Sequence, residues 1–384
     1  MTDAELQHLG AIITAKEVEQ QPILWKETFD NYIKKKTEIT DFLEMISEKH
    51  GRVRVIFTGA GTSAYVGDTI LPYLKRKINE KIWDLQSIPT THIVSNPYEY
   101  FKKDLPTLLV SFARSGNSPE SIATVDLGKQ IVKDFYQITI TCAPDGKLAQ
   151  ATDDDHSNLL FLMPSGSNDK GFAMTGSYTC MTLAALLVFD ETSDGEKENF
   201  VENVIAMGEN VIEREEEIGE IVNLDFNRVV YLGSGSLAGL TREASLKLLE
   251  LTAGKTATLF DSSMGFRHGP KSFVDNKSLI FVFISNNGHT RKYDLDILNE
   301  VYADKITEYV WSLTTFEEES VAGNKFAFAG VGKDVPDAYL ALPYVMFAQT
   351  IAMMAAVKIK NKPDTPSASG TVNRVVKGVT IHQY

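Results

Sequence analysis

Short apolar runs alternate with longer segments of helical spacing along most of the chain. Four runs in the first half are rich in β-branched and aromatic residues, as buried strands are: VRVIF, TLLVSFA, YQITITC and NLLFLM. The segments between and after them, among them TSAYVGDTILPYLKRK and SPESIATVDLGKQIVKDF, have the length and spacing of helices. A further helical pattern runs from about Thr14 to Lys49. This alternation predicts a parallel sheet with helices on both faces.

The same pattern begins again in the second half. NRVVYLGSGSLAGLTREASLKLLELT repeats the strand, Gly-x-Gly-Ser/Thr loop and helix of VRVIFTGAGTSAYVGDTILPYLKRK, and further strand-like runs follow. We therefore predict an α/β fold class with two similar halves, each a doubly wound, flavodoxin-like parallel sheet flanked by helices. The expected domains are an N-terminal helical segment over 1–49, a first α/β domain over 50–215, and a second over 216–384 that includes the C-terminal tail.

Composition and charge narrow the classes of partner. The 384 residues are 43% hydrophobic and 23% charged, as in ordinary globular proteins. A formal net charge of −13 disfavours non-specific nucleic-acid binding, although local N–H groups can still bind a small anion. The most apolar segment, LALPYVMFAQTIAMMAAVKIK, contains Pro343 and Gln349 and predicts a buried helix. We expect neither a nucleic-acid nor a membrane partner.

The two cysteines and the N-terminus indicate a reducing compartment. Cys142 and Cys180 lie in apolar stretches without metal-ligand spacing, which predicts buried free thiols and no metal site. The segment MTDAELQHLGAIITAKEVEQ is acidic and has no long apolar run, unlike a signal peptide. We expect a cytoplasmic protein.

Three loops of the first half combine small and hydroxyl-bearing residues at predicted strand ends. They are GAGTS at 59–63, ARSGNS at 113–118 and SGSNDKGFAMTGS at 165–177. Hydroxyls and backbone N–H groups at a helix N-terminus are suited to binding a phosphate. Neither nucleotide-binding fingerprint fits these loops. Ordinary helix capping and turn chemistry is the alternative explanation.

Charged residues of the second half offer proton-transfer chemistry. Glu243, Lys247 and Glu250 in TREASLKLLELTAG lie at i, i+4 and i+7, on one face of a predicted helix. Taken alone, this spacing favours an exposed Glu–Lys pair on a solvated face. His268 in FRHGP lies in a predicted turn, and histidine can both give and take a proton near neutral pH.

These motifs resemble a known family. GAGTS followed by ARSGNS resembles the sugar isomerase (SIS) family, so that the two halves are expected to be SIS subdomains. REASLKLLELTAG and SSMGFRHGPKSFV are similar to the isomerase domain of glucosamine-6-phosphate synthase. NDKGFAMTGSYT and GFRHGPKS look most like the AgaS type, the galactosamine-6-phosphate deaminase/isomerases, also called tagatose-6-phosphate ketose/aldose isomerases. The resemblance runs from about Asp41 to the C-terminus.

The resemblance implies roles for individual residues. The phosphate is expected on Ser63, Arg114, Ser115 and Ser118, with Gly61, Thr62 and Asn117 of the same loops as further binding candidates. The synthase has Ser-Gln where this chain has Ala113-Arg114, so Arg114 either contacts the phosphate or points to solvent; we favour the contact.

The proton-transfer roles follow in the same way. Glu250 matches the isomerising base, Lys247 lines the same site, and Glu243 is a further candidate for substrate binding. His268 is expected to open the sugar ring from a loop that enters the neighbouring subunit, which implies a homodimer or a higher homo-oligomer. Lys377, in NRVVKGVT, matches a tail lysine that closes over the sugar, although an ordinary exposed lysine is the alternative.

The expected reaction converts galactosamine 6-phosphate to tagatose 6-phosphate and ammonia by aldose-ketose isomerisation, without metal or cofactor. The chain begins Met1-Thr2-Asp3 and lacks the synthase's glutamine-hydrolysing domain with its N-terminal cysteine, which favours ammonia release. Two alternatives stay open: an isomerase of a hydroxy sugar phosphate without deamination, and a non-catalytic sugar-phosphate sensor. Turnover distinguishes the sensor, because a sensor binds the sugar phosphate and converts none.

Overall fold

The computed structural model describes residues 1–152, 155–317, 321–376 and 378–382. Contacts divide the chain into two compact units, which we call the first-sheet unit and the second-sheet unit. The first-sheet unit comprises Leu24–Asp169, Gly176–Ser193 and Gly370–Tyr384. The second-sheet unit comprises Met1–Ile23, Lys170–Thr175 and Asp194–Ser369.

The described residues form helices in both units. In chain order these are α1 Asp3–Leu9, α2 Ile12–Glu19, α3 Gln21–His50, α4 Thr62–Lys77, α5 Thr90–Ser95, α6 Pro97–Tyr100, α7 Pro119–Ile131, α8 Lys147–Gln150, α9 Gly176–Phe189, α10 Asp194–Glu213, α11 Glu215–Asn223, α12 Ser236–Leu251, α13 Gly288–Ala303 and α14 Asp337–Lys358.

The first-sheet unit is built on a five-stranded parallel sheet. Its strands are β1 Val53–Thr58, β2 Trp83–Ser87, β3 Thr107–Ala113, β4 Phe135–Thr141 and β5 Asn158–Leu162. Their spatial order is β2-β1-β3-β4-β5, so the winding reverses between β1 and β3. Every residue of β1 and β3 is buried, as expected for central strands covered by helices on both faces.

The second-sheet unit repeats this plan. Its parallel strands are β6 Arg228–Gly233, β7 Ala257–Ser262, β8 Ser278–Phe283, β9 Val310–Thr314 and β10 Asn324–Ala327. The order β10-β9-β8-β6-β7, followed from β7, is the order of the first sheet. The predicted α/β class with two doubly wound, flavodoxin-like sheets is therefore confirmed.

The Gly-x-Gly loops have nearly the same backbone conformation in both units. Gly61 has φ 58° and ψ −128°, and Gly235 has φ 56° and ψ −124°, a conformation that favours glycine. A Cβ on Gly59 would lie 2.6 Å from the carbonyl carbon of Ser63, so the first glycine lets the helix approach its strand closely. The sequence repeat thus corresponds to a repeated strand-to-helix turn.

The most apolar segment of the chain is a core helix. Within the described residues α14 is the one helix long and apolar enough to cross a membrane, and 89% of its most apolar window is buried. Pro343 and Gln349 are themselves buried inside it. The prediction of a buried helix is confirmed.

The predicted domain bounds do not coincide with the compact units. Residues 24–49 lie in the first-sheet unit, residues 194–215 lie in the second-sheet unit, and the tail from Gly370 lies in the first-sheet unit. Tertiary packing explains the difference, because α10 packs on α14 of its own unit. The tail is bound by side chains of the first-sheet unit that are described below.

Candidate active site

Two predicted phosphate loops lie at the reversal point of the first sheet. GAGTS follows β1, and α4 begins after its N-cap residue Gly61. ARSGNS follows β3, and α7 begins after its N-cap residue Ser118. Because β1 and β3 are parallel neighbours, both helix N-termini lie at the same edge of the sheet. Open α/β sheets bind ligands at this edge, and helix N-termini attract anions.

The small polar residues of these loops differ in their contacts. Ser118, the N-cap residue of α7, makes no side-chain capping hydrogen bond, and the N-cap residue of α4 is Gly61, which has no side chain. Ser63 is 5% exposed in the first turn of α4. Asn117 has a structural task, since its Oδ1 accepts a hydrogen bond of 3.1 Å from the backbone N–H of Lys147, and its own N–H donates to Ser115 Oγ at 3.3 Å.

The third predicted loop differs from the expectation that it offers hydroxyls to a phosphate. Ser177 Oγ donates to Asp169 Oδ2 at 2.5 Å, and the backbone N–H groups of Gly176 and Ser177 also donate to this carboxylate. Ser167 Oγ donates to the carbonyl oxygen of Pro164. Asp169 caps α9 because a carboxylate at a helix N-terminus is favoured, and these two hydroxyls are thereby used inside the protein.

The second-sheet unit brings Glu243, Lys247 and Glu250 together on α12. Lys247 Nζ lies 2.7 Å from Glu250 Oε2 and 3.3 Å from Glu243 Oε1. The side chains of Glu243 and Lys247 are 0% and 1% exposed, whereas that of Glu250 is 26% exposed. The solvated-face interpretation is therefore wrong for this helix, which packs against α14 and β7.

The charges of this trio support one another. Burial by itself lowers the pKa of Lys247, but the carboxylates of Glu243 and Glu250 together raise it above its ordinary value. Lys247 is therefore a buried ammonium ion between two carboxylates. Glu250 alone of the three has a partly exposed side chain, as a base that exchanges a proton with a substrate needs.

His268 lies in a short 3₁₀ turn, Gly265–His268, and its side chain is exposed. Gly269 follows with φ 127°, a backbone conformation that L side chains rarely adopt. The residues on either side are fixed to α13: Arg267 Nε lies 2.5 Å and Lys271 Nζ 2.7 Å from the carboxylate of Glu300. In the part of the chain that the structure describes, no hydrogen bond or ion pair joins His268 to the Glu250 trio.

Comparison with known proteins gives the family of the chain. No protein-family model matches the chain. The D-galactosamine-6-phosphate deaminase AgaS of Escherichia coli O157:H7 is 41% identical to it over 374 residues, which cover 97% of this chain and 96% of that protein. The chain belongs to the AgaS family.

Solved structures support this membership. The crystal structure of tagatose-6-phosphate ketose/aldose isomerase from Escherichia coli matches with a TM-score of 0.86 and 36% identity, over 97% of this chain and 96% of that chain. The C-terminal domain of glucosamine-fructose-6-phosphate aminotransferase from Francisella tularensis matches with a TM-score of 0.70 and 17% identity, over 89% of this chain and 96% of that chain. The second match shows the fold alone. The resemblance to AgaS-type proteins is confirmed.

In this AgaS-family chain Arg114 does not point to solvent. Its side chain is 7% exposed, and Nη2 donates to the carbonyl oxygen of Arg374 in the C-terminal tail at 2.5 Å. Arg114 directly precedes Ser115 in the ARSGNS loop. A contact between Arg114 and a bound phosphate stays a prediction. Lys377, the predicted tail lysine, lies outside the described residues.

Sequence reasoning missed three residues that fix elements carrying predicted site residues, each within its own unit. Asp169 caps α9, Glu300 holds the turn of His268, and Arg374 holds the tail. An acidic residue near a helix start is a usable signal for Asp169. Glu300 and Arg374 have no local signal, because their partners are distant in sequence.

Proposed function

We propose that this chain is an amino-sugar phosphate deaminase that converts D-galactosamine 6-phosphate and water to tagatose 6-phosphate and ammonia. The observation that carries the proposal is the ion trio on α12, in which Glu243 and Lys247 are buried and the side chain of Glu250 is partly exposed. The substrate class comes from the relatives, whose names are D-galactosamine-6-phosphate deaminase and tagatose-6-phosphate ketose/aldose isomerase.

The phosphate group of the substrate is assigned to the loops at the reversal point of the first sheet. The proposed donors are the hydroxyls of Ser63, Ser115 and Ser118 and the backbone around Gly61 and Thr62. Two helix N-termini add their positive dipole ends to this edge of the sheet. Binding energy gained at the phosphate, far from the reacting carbons, then holds C1 and C2 in place for proton transfer.

The proton chemistry is assigned to the second-sheet unit. His268 moves a proton between the ring oxygen and O1 as the ring opens. Glu250 then takes the proton from C2 and returns it at C1, which gives an enolamine and next the imine of the ketose. Lys247, kept charged by buried Glu243, holds the Glu250 carboxylate by its 2.7 Å contact.

Release of ammonia is a hydrolysis. Water adds to C2 of the imine, and the C–N bond of the resulting carbinolamine breaks as the nitrogen leaves with its protons as ammonia. The carbonyl at C2 remains as tagatose 6-phosphate, so every atom of substrate and water is accounted for. The reaction as proposed uses side-chain acid-base chemistry alone.

The test compares two amino sugars. Purified protein is incubated with D-galactosamine 6-phosphate or D-glucosamine 6-phosphate, and ammonia and the ketose product are measured separately. We expect ammonia and tagatose 6-phosphate, in equal amounts, from the galacto sugar. Turnover of a hydroxy sugar phosphate without ammonia from either amino sugar supports the plain isomerase instead. Binding of both sugars with no product supports the sensor.

We also propose that the enzyme is a homodimer or a higher homo-oligomer whose subunits share their sites. Strand β7 is an edge strand of the second sheet, and large apolar side chains are exposed on and beside it: Leu249 at 43%, Phe260 at 43% and Met264 at 45%. Exposed His268 lies in the turn that follows. A second copy covering β7 buries these side chains and receives this histidine.

Subunit mixing tests the shared site. The inactive variants Glu250→Gln and His268→Ala are unfolded together and refolded as a mixture. Each mixed dimer then has one site with both native residues, so random reassortment restores about a quarter of the wild-type activity. No recovery in the mixture, with each variant folded alone, contradicts a shared site.

The proposed location is the cytoplasm. Both cysteines are free and buried, and burial raises the pKa of the Cys142 thiol to about 12. Unreactive buried thiols are typical of proteins that work in a reducing compartment.

A further inference from the structure

Arg374 binds the C-terminal tail, here Gly370–Val376 with 378–382, to the loop that follows β5. Its Nε donates to the carbonyl oxygen of Asp169 at 2.9 Å. Its Nη2 donates to the same carbonyl oxygen and to Asn168 Oδ1, the latter at 3.3 Å. Two nitrogens of the planar Arg374 guanidinium thus bond to one short segment, 168–169. This geometry fixes the orientation of the guanidinium as well as its distance from the segment.

The acceptor of these bonds is itself rigid. Asp169 is fully buried, and its carboxylate accepts hydrogen bonds from Gly176 N, Ser177 N and Ser177 Oγ at the start of α9. A carbonyl group on a residue held by three such bonds cannot move far. Arg374 is therefore fastened to a fixed point of the first-sheet unit.

The backbone of Arg374 has a second partner on the phosphate side. Its carbonyl oxygen accepts the 2.5 Å hydrogen bond from Arg114 Nη2. Arg114 joins β3 to the loop that carries Ser115 and Ser118. One tail residue is thus connected to the loop after β5 through its side chain and to the loop after β3 through its main chain.

The far end of the tail also lies against this unit. Ile381 and His382 line a cavity of about 330 Å³ together with Val94 of α5 and residues of α7, among them Ala123 and Leu127. Helix α7 is the helix whose N-terminus belongs to the ARSGNS loop. The tail therefore touches the unit both at the strand ends and along α7.

We propose that Arg374 is a positioning residue that fastens the C-terminal tail beside the ARSGNS loop, so that tail docking and phosphate binding at this loop strengthen each other through Arg114. While Arg374 is fastened, its carbonyl oxygen is a fixed acceptor for Arg114. The other N–H groups of the Arg114 guanidinium then keep a fixed direction. Loss of the Arg374 side chain loosens the tail, and the guanidinium of Arg114 then loses a fixed acceptor. Coupling of this kind is reciprocal, so a bound phosphate protects the tail.

The first experiment measures tail docking without turnover. Trypsin cleaves after Lys377, and the initial rate of cleavage at this bond is measured by mass spectrometry with and without inorganic phosphate, counted separately from cleavage after residue 374, a site that Arg374→Ala lacks. The variants are Arg374→Ala, Arg374→Lys and the neighbouring control Asn373→Ala, whose side chain bonds, among the described residues, to Gly370 O within the tail. We expect roughly tenfold faster cleavage in Arg374→Ala, the size expected when hydrogen bonds from a charged group are lost.

The variants separate positioning from general stability. Phosphate is expected to slow cleavage in wild type and in Asn373→Ala but not in Arg374→Ala, and Arg374→Lys is expected to fall between because lysine lacks the planar fork. Equal cleavage of all four proteins, or equal protection of Arg374→Ala and wild type by phosphate, overturns the inference.

The second experiment depends on the proposed function. In Arg374→Ala the KM for galactosamine 6-phosphate is expected to rise about tenfold while kcat changes less than about threefold, because the phosphate end is affected more than the reacting carbons. If Arg374→Ala releases its tail faster but keeps the wild-type KM, the positioning role is overturned. If wild type releases no ammonia, the proposed function fails, and the trypsin comparison still supports or overturns the inference.

Discussion

Replacing Lys247 by methionine should both destabilise the folded enzyme and inactivate it, for separable reasons. Methionine keeps the length of the side chain but removes the ammonium ion that lies 3.3 Å from the fully buried carboxylate of Glu243. Breaking a buried ion pair by removing one partner costs about 3–5 kcal/mol of unfolding free energy. The exposed lysine just beyond the same helix, Lys255, serves as control, and Lys255→Met should cost about 0.5 kcal/mol or less.

The double variant Glu243→Gln/Lys247→Met separates stability from catalysis. It also removes the charge of Glu243, so more than half of the lost unfolding free energy should return, measured by urea denaturation. Ammonia release should stay low, because Glu250 still lacks the ammonium ion 2.7 Å from its carboxylate. A cost of about 1 kcal/mol or less for Lys247→Met, or no return in the double variant, would refute the buried-trio reasoning.

Two further predictions concern the second-sheet unit. Asp294 accepts from Ser234 Oγ at 2.5 Å, Ser263 Oγ at 2.6 Å and Ser285 N at 3.0 Å, and burial raises its pKa from 3.8 to about 6. The folded state therefore binds the proton more tightly than the unfolded chain. The stability of wild type relative to Asp294→Asn should fall by about 3 kcal/mol from about pH 3 to about pH 7 in urea melts, and a flat difference contradicts this. Glu300→Gln weakens the hold on the turn of His268, so kcat should fall with little change in KM and a stability loss of about 1 kcal/mol, and equal effects from the exposed control Glu308→Gln would rule this out.

The sequence predicted the strand-to-helix turns because their signals are local. A buried β-branched run, two glycines and a helical segment follow one another directly, and the structure has this turn twice, at Gly61 and at Gly235. The alternation of strands and helices likewise specifies a parallel sheet covered on both faces. The reversal between β1 and β3 then places the first two loops at one edge.

Local sequence patterns do not specify burial or hydrogen bonds between distant residues. Spacing placed Glu243, Lys247 and Glu250 on one face, but the same spacing occurs on solvated helices, and the packing of α12 on α14 and β7 makes the difference. The bonds of Arg374 span 205 and 260 residues and end on backbone carbonyl groups, which every residue has. The hydroxyl of Ser177 in the third loop is bound by Asp169, a partner that the local pattern of small polar residues does not indicate.

The proposed mechanism depends most on proton transfer by Glu250. Wild type and Glu250→Gln are supplied with D-galactosamine 6-phosphate in deuterated water, and ammonia and the deuterium content of tagatose 6-phosphate at C1 are measured. Wild type should release ammonia and place deuterium from the solvent at C1, whereas Glu250→Gln should lose about 100-fold or more of its turnover and keep its fold. Ammonia release by Glu250→Gln at nearly the wild-type rate would contradict the account.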